Sequence, residues 1–497
     1  MQYLLAHDLG TSGDKATLFT TDGALVRSTV ASYPCHYGPG NRAEQDPEDW
    51  YAAVCQATRG LLELAAPEDV VGVSFSGHMM GSVLLDRHGA LLRPAIIWAD
   101  QRATEEQALL SQRMDDTRFY EITGNRNNPT NSLVKILWCQ RHEGWGDRLA
   151  TSLNCKDYLI YRLTGAIGTD YSDASGTGAF DLGTFTWSAE ILEAAGVAPS
   201  VMPPLHASTD LAGTITPQAA RDTGLLPGTP VYCGCGDGTA ASVGTGVRQP
   251  GQGYISLGTS AWISYADDAP LLDPRQRTFN LAGIQKGQVF PIGTMQAAGS
   301  SYNWMRDQLC QLEKQAATAQ GGSVYDRINR QIAAEAPGAG GVLFLPYLTG
   351  ERSPWWDANA KGAFLGLTIS TTHAQLLRAV MEGVAMNLGL ILRVFREKYP
   401  FSALRIIGGG AQEPLWRQVL ADALNVRVEK LSLLEEGCSL GAALAAGIGA
   451  GVFPDAGAID RFLRVEDVTE PDPGRAALYA DLTDRLEQAY LRLRGFA

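Results

Sequence analysis

Leu9-Gly10-Thr11-Ser12 recurs 248 positions later as Leu257-Gly258-Thr259-Ser260. The first copy lies between the β-prone runs Tyr3-Leu4-Leu5-Ala6 and Ala16-Thr17-Leu18-Phe19. The second lies between Gly253-Tyr254-Ile255 and Ala261-Trp262-Ile263-Ser264-Tyr265. Strand, Gly-Thr-Ser turn, strand reads as a hairpin whose tip offers backbone N–H groups and hydroxyls to phosphate oxygens. One copy alone would be an ordinary turn. Two copies, half of a 497-residue chain apart, point to a duplicated fold with paired phosphate loops facing each other across a cleft.

Outward from these hairpins, strands alternate with helical patterns. In the first half Pro47 to Leu64 reads as a helix with Trp50, Val54, Leu61 and Leu64 on one face. Val70 to Phe75 and Ala95 to Trp98 read as strands. In the second half Val342 to Leu345 and Leu404 to Ile407 are strand patterns, and Ala374 to Phe395, Pro414 to Leu424 and Leu440 to Gly451 are helical. Pro473 to Leu493 forms a charged amphipathic helix. The alternation is that of an α/β protein. Val231 to Gly258 holds eight glycines and is the natural junction between halves.

Composition narrows the function. Apolar residues make up 45% and charged residues 19%, a globular balance. A net charge of -13 repels phosphate backbones and anionic lipid, which argues against nucleic-acid and membrane-surface roles. Met1 to Asp8 lacks a basic leader pattern. No stretch reads as a run of about 20 apolar residues, the length a bilayer demands. The longest candidate, Leu440 to Phe453, is short and rich in Ala and Gly. Eight cysteines are sparse, and Cys233-Gly234-Cys235 has no companion pair at zinc spacing. The expectation is a reduced, cytoplasmic protein.

No Gly-Lys dipeptide occurs, so there is no Walker-A loop, and H-E-x-x-H is absent. Gly236-Asp237-Gly238-Thr239-Ala240-Ala241 fits a dinucleotide fingerprint, but no acid follows between Thr239 and Ala266 to hold a ribose. Asp237, flanked by glycines at a strand-to-helix turn, stands where a general base for a hydroxyl would sit; capping the helix from Thr239 to Val243 explains it equally well. Asp8 closes the first strand beside a phosphate loop. Either a cation, naturally Mg²⁺, separates it from phosphate, or it forms an Asx-turn. Ile406-Ile407-Gly408-Gly409-Gly410-Ala411 is a strand, three glycines and then a helix, a turn on which a ring or sugar could lie flat.

Together these pieces resemble the FGGY family of carbohydrate kinases, its xylulokinase members above all, over almost the whole chain. Asp8 to Ser12 looks like the family's first phosphate motif and Gly258-Thr259-Ser260 like the second. Glu44-Gln45-Asp46-Pro47-Glu48-Asp49-Trp50 is similar to its E-Q-x-P-x-x-W segment. Lys135-Ile136-Leu137-Trp138 fits the first family signature, with Cys139 where a larger apolar residue is usual. Gly362 to Leu367, Gln375-Leu376 and Ala379 to Glu382 match the second, and Gly408 to Ala411 looks like the adenosine motif.

The resemblance implies a duplicated ribonuclease-H-like fold of the actin, hexokinase and Hsp70 type, with an interdomain cleft. Residues 1–246 would form the sugar-binding domain and 247–497 the ATP-binding one. It implies ATP and Mg²⁺, with Asp237 as catalytic base and Asp8 in a catalytic, metal or phosphate role. Thr11, Ser12, Gly258, Thr259, Gly299, Gly409 and Gly410 would contact ATP. His78, Met79, Met80, Trp98 and Asp100, with Asp237, would face the sugar. The reaction expected is phosphorylation of a primary hydroxyl of a ketose, D-xylulose or a related pentulose. A small sugar is the expected partner, nucleic acid and membrane are not, and a homodimer is compatible with the family.

Two departures concern the sugar. Gly77-His78-Met79-Met80-Gly81 stands where xylulokinases carry Gly-Gln-Met-His-Gly, and Trp98-Ala99-Asp100 replaces Trp-Asn-Asp. Both remove a polar partner, which suits a shorter, deoxygenated or differently configured polyol, such as a tetrulose, hexulose or pentitol. An actin-like ATPase without a sugar substrate is the competing reading. Glu44 to Trp50 and Trp98 to Arg102 argue against it.

Overall fold

The computed structural model describes residues 1–495. The chain forms two compact units. The first contains Met1–Pro250, Ala266–Pro291 and Glu436–Leu463; the second contains Gly251–Tyr265, Ile292–Glu435 and Arg464–Ala497.

The first unit is built on β1 (Tyr3–Leu9), β2 (Gly13–Thr20), β3 (Leu25–Ser32), β4 (Val70–Gly77), β5 (Leu211–Thr214), β6 (Pro230–Tyr232) and β7 (Cys235–Gly236). The sheet order is β5-β6-β4-β1-β2-β3, with β7 also pairing β4. β1, β2 and β3 form an antiparallel meander, whereas β4 runs parallel to β1 and to β6. Alternating apolar residues would expose one face, but β1 and β4 are buried almost throughout, as a sheet covered on both faces requires. Helix Pro47–Leu61 supplies Trp50, Val54 and Leu61 to the core on one side. Its start is set by Asp46, whose side chain accepts from Glu48 N–H, and by Pro47 in the first turn. The helical pattern read to Leu64 ends at Leu61, and of Ala95 to Trp98 only Ala95–Ile96 is strand.

Helix Gly437–Gly449, late in the sequence, belongs to this unit and packs on β1, β4 and helix Asp237–Gly244. Glycine makes that approach possible. A Cβ on Gly441 would lie 2.2 Å from the Ala240 carbonyl oxygen, and one on Gly244 only 1.7 Å from that of Gly437.

The second unit repeats the plan with β8 (Gly253–Leu257), β9 (Ala261–Tyr265), β10 (Val289–Met295, paired here through Ile292–Met295), β11 (Ala403–Ile407), β12 (Arg427–Leu431) and β13 (Val465–Thr469). The order is β10-β9-β8-β11-β12-β13. β8, β9 and β10 are antiparallel neighbours, β8–β11–β12 are parallel, and β13 closes antiparallel. Strand for strand, these pairings reproduce β3-β2-β1-β4-β6-β5 of the first unit, so the duplicated Gly-Thr-Ser hairpins reflect a duplicated fold. Helix His373–Arg396 is long and apolar enough to cross a membrane, and it is buried in this unit. Its start is a capping box between Thr372 and Gln375.

Candidate functional site

In the first unit, three strands end together. Asp8 and Cys235 both stand opposite Ser76, and Leu9 and Gly236 both stand opposite Gly77. The strand registers therefore bring Asp8 and the turn carrying Asp237 to the carboxyl ends of β1, β4 and β7, where open α/β sheets bind ligands. Helix Asp237–Gly244 begins at Asp237 itself, with Gly236 as its N-cap, so capping does not account for the carboxylate at this position. One Asp237 oxygen accepts from the Gly238 N–H at 2.7 Å. The side chain stays partly exposed, yet its surroundings strip away water and Asp8 adds negative charge. Together these push its pKa up to about 7.

Desolvation also raises Asp8, against the pull of Lys15 and Ser76 and with a further push from Asp14 and Glu436. Lys15 faces Asp8 across the hairpin and pairs with Glu436 at 3.3 Å. Both Lys15 and Glu436 escaped the sequence reading. The Asp8–Lys15 pairing follows from hairpin register. Glu436 lies 421 residues beyond Lys15 in the chain, and nothing in its local sequence marks it.

The Gly10-Thr11-Ser12 tip is held from three directions. Tyr33 donates to the Gly10 carbonyl at 2.5 Å, Gln45 to the Thr11 carbonyl at 2.8 Å, and Trp98 to Thr11 Oγ1 at 3.0 Å. Trp50 in turn donates to Gln45 Oε1 at 3.3 Å, which gives the Gln45-to-Trp50 segment a physical task. Thr11 is partly exposed and Ser12 is exposed.

The sugar-side residues differ in access. His78 is buried against Trp50, ring centroids 5.5 Å apart, and neither ring nitrogen has a hydrogen-bond partner among the described residues. Burial, with Lys135 nearby, pushes it down to about 4 and keeps it neutral. Met79 is buried and packs where a Cβ on Gly236 would be. Met80 is partly exposed at φ 62°, the left-handed region, and its sulfur lies 3.8 Å from Thr130 Oγ1. Trp98 is 38% exposed, so its ring can meet a ligand. Asp100 is fully buried, and its carboxylate accepts from Ala43 N–H at 2.6 Å and from Arg102. Beneath these segments the buried ammonium of Lys135 donates to the carbonyls of Met80, Thr130 and Ile97 at 2.7, 2.7 and 2.9 Å.

In the second unit, Gly258, Thr259, Gly299, Gly409 and Gly410 all line one cavity of about 670 Å³. The Thr259 carbonyl accepts from Ala298 and Ser300 N–H, so the hairpin tip abuts the start of helix Gly299–Gln308. A Cβ on Gly299 would lie 2.5 Å from the Gly258 carbonyl oxygen, and one on Gly408 2.6 Å from that of Leu257. Gly409 has open space instead and is exposed. Aromatic rings line the remainder: Tyr302 stacks on Tyr325 at 5.8 Å and lies 5.9 Å from Trp416. Tyr302 donates to Asn329, which donates to Glu413 at 2.7 Å. Glycine backbone beside a helix N-terminus, continuous with aromatic faces, suits a phosphorylated nucleoside. None of these aromatic residues was picked out in the sequence, because they come from three separate helices.

Residues 3–244 match the N-terminal domain of the FGGY family of carbohydrate kinases, and residues 253–450 match its C-terminal domain. A xylulose kinase of Bacillus subtilis is 33% identical over 495 residues, covering 99% of this chain and 97% of the relative. The solved structure of a ligand-bound xylulose kinase from Lactobacillus acidophilus superposes with a TM-score of 0.93 at 27% identity, covering 100% of this chain and 99% of that one. A gluconate kinase from the same organism gives a TM-score of 0.93 at 27% identity, covering 99% and 98%.

Proposed function

The chain belongs to the FGGY family of carbohydrate kinases, and from that premise we propose that it transfers the γ-phosphoryl group of ATP to a primary hydroxyl of an uncharged ketose, a pentulose such as D-xylulose. Residues 1–246 carry the sugar side and 247–497 the ATP side. The observation that carries the reading is Asp237. A general base works best with a pKa near the operating pH, and burial together with Asp8 holds this carboxyl at about 7. Asp237 takes the hydroxyl proton as the sugar oxygen attacks the γ-phosphorus. The loose transition state asks chiefly for positioning and charge stabilisation.

Thr11 and Ser12 on one hairpin and Gly258 and Thr259 on the other offer N–H and hydroxyl donors to phosphate oxygens. Gly299, Gly409 and Gly410 leave room for the nucleotide. Among the described residues no group of three or more metal-ligating side chains occurs. The raised carboxyl of Asp8 beside Asp237 nevertheless fits an ion held mainly by phosphates and one protein carboxylate, as Mg²⁺ usually is. Asp8 would hold it; when bound, such an ion neutralises charge on the phosphate oxygens.

Partly exposed Met80 and Trp98 supply apolar surface, consistent with a sugar that offers few hydroxyls there. All eight cysteines are free, and this supports a reducing, cytoplasmic setting.

Coupled ADP release measured across pentuloses, tetruloses, pentitols and aldonates tests the reading. A pentulose should give the largest stimulation and an aldonate little. An aldonate that outperforms every neutral sugar would overturn the substrate assignment, and no stimulation by any sugar would overturn the kinase reading itself.

A further inference from the structure

Asp237 has little direct restraint. Its carboxylate accepts from the N–H of the next residue, so the backbone turn decides where the base stands. That turn is anchored one residue earlier. The buried Gly236 N–H donates to Ser172 Oγ at 2.8 Å. Ser172 Oγ donates to Asp170 Oδ2 at 2.5 Å, and the other Asp170 oxygen meets Lys156 Nζ at 2.8 Å. The hydroxyl has one hydrogen, and because it goes to Asp170, a lone pair faces Gly236. On its other side Gly236 is packed against Met79, whose Cγ and Sδ lie 2.6 Å from where a Cβ would be.

The far end of this chain is fixed by charge. Lys156 is wholly buried and bridges Asp157 at 2.6 Å and Asp173 at 3.1 Å as well as Asp170. Asp170 also caps helix Tyr171–Gly176 and accepts from Ser208 Oγ at 2.7 Å. Moving the Lys156 ammonium would strand its charge away from water, so the cluster holds one geometry. We propose that Ser172, clamped by Asp170 and Lys156, is a positioning residue that fixes the peptide preceding Asp237 and thereby the orientation of the base. The inference rests on Asp237 being that base.

Ser172→Ala removes the acceptor while leaving the Lys156 cluster charged as before. Turnover with sugar should fall about 10- to 100-fold, the usual cost of a base misplaced by a fraction of an ångström to an ångström. The KM for ATP should stay within about twofold. Because the loosened carboxyl gains water, the acid limb of the kcat–pH profile should move to lower pH. Ser172→Cys keeps a side-chain acceptor, larger and weaker than the hydroxyl, and should fall between wild type and Ser172→Ala, which guards against a variant that fails to fold.

Thr223→Val is the comparison. Thr223 is buried, donates to the Ala219 carbonyl and accepts from Leu225 N–H, so it loses the same kind of hydroxyl at a place unconnected to Asp237. Its kcat and pH profile should match wild type. Wild-type turnover in Ser172→Ala and Ser172→Cys, or an equal loss in Thr223→Val, would overturn the positioning role. Asp237→Asn measured alongside separates the two claims. If it is inactive while Ser172→Ala is normal, the positioning role alone falls. If it turns over normally, the base assignment falls as well.

Discussion

Asp237→Asn keeps the shape of the side chain, removes its charge and abolishes its basicity. Its folded-state pKa of about 7 lies above the ordinary carboxyl value of 3.8, so between those values the folded protein binds a proton that the unfolded chain has released. Whatever stability this gives is complete below the unfolded value and is lost as pH rises through about 7. At pH 8 the wild-type protein therefore carries an ionised, poorly solvated carboxylate beside Asp8. The full shift corresponds to about 4 kcal/mol. Because the carboxyl is partly exposed, water screens it, and roughly 1–2 kcal/mol is the expected cost.

The neutral amide escapes that cost. Ligand-free Asp237→Asn should melt about 1–3 °C higher than wild type at pH 8, while the two should nearly coincide at pH 4. Activity moves the other way. The variant should lose at least about 1,000-fold in kcat, while ATP titration gives a nearly unchanged affinity. In the wild-type enzyme, the ionised fraction of the free enzyme predicts kcat/KM for the sugar about tenfold lower at pH 6 than at pH 8. Thermal melts at both pH values and coupled ADP release measure all of this. A variant that turns over within tenfold of wild type, or a melting difference that is the same at pH 4 and pH 8, would refute the reasoning.

Three further outcomes are expected. Lys135→Met leaves the carbonyls of Met80, Ile97 and Thr130 without their shared donor. It should cost about 2–4 kcal/mol in chemical denaturation and raise the sugar KM at least about tenfold, with ATP affinity unchanged. Gly299→Ala drives a methyl group to within 2.5 Å of the Gly258 carbonyl. Calorimetric titration should show ATP affinity falling by about tenfold or more while sugar binding persists. Met80→His returns an imidazole to a partly exposed position in the sugar-side segment. The ratio of kcat/KM for a pentulose over its deoxygenated analogue should rise about tenfold in steady-state assays.

The parts of the fold legible in the sequence were those in which a local pattern has a single physical solution. Two Gly-Thr-Ser turns between β-prone runs can only close hairpins, and both do, with Leu9 opposite Asp14 and Leu257 opposite Ala261. Pro414 to Leu424 and Pro473 to Leu493 carry their own start signals and are helices over those spans. Boundaries set by packing were less legible. Nothing local stops the first long helix at Leu61 instead of Leu64. Trp98 leaves its strand because its indole turns to Thr11. Among the candidate site residues, glycines could be read because close approach requires them, as at Gly299. His78 and Asp100 could not be placed from sequence, since burial against Trp50 and the bond to Ala43 depend on distant segments.

The least legible feature is also the one that gives Asp237 its chemistry. A carboxylate between two glycines is usually solvated and acidic. Burial and the charge of Asp8 push this one up to about 7: β1 and β7 both run parallel to β4, so Asp8 and the Asp237 turn end beside the same strand, and helix Gly437–Gly449 covers that turn. Cys438 on that helix donates to the Asp237 carbonyl at 3.6 Å, and Gly441 lets it lie against Ala240. The helix is drawn from nearly 200 residues downstream and crosses back into the first unit. Its small residues, which in the sequence suggested only a weakly apolar stretch, are what allow the close approach. Replacing Gly441 by a larger residue would lift the helix from Ala240 and rehydrate the turn, so the base would become a stronger acid and a poorer catalyst at neutral pH. A Gly441→Ala enzyme whose kcat–pH profile shows the same acid limb as wild type would mean that this helix does not shield Asp237.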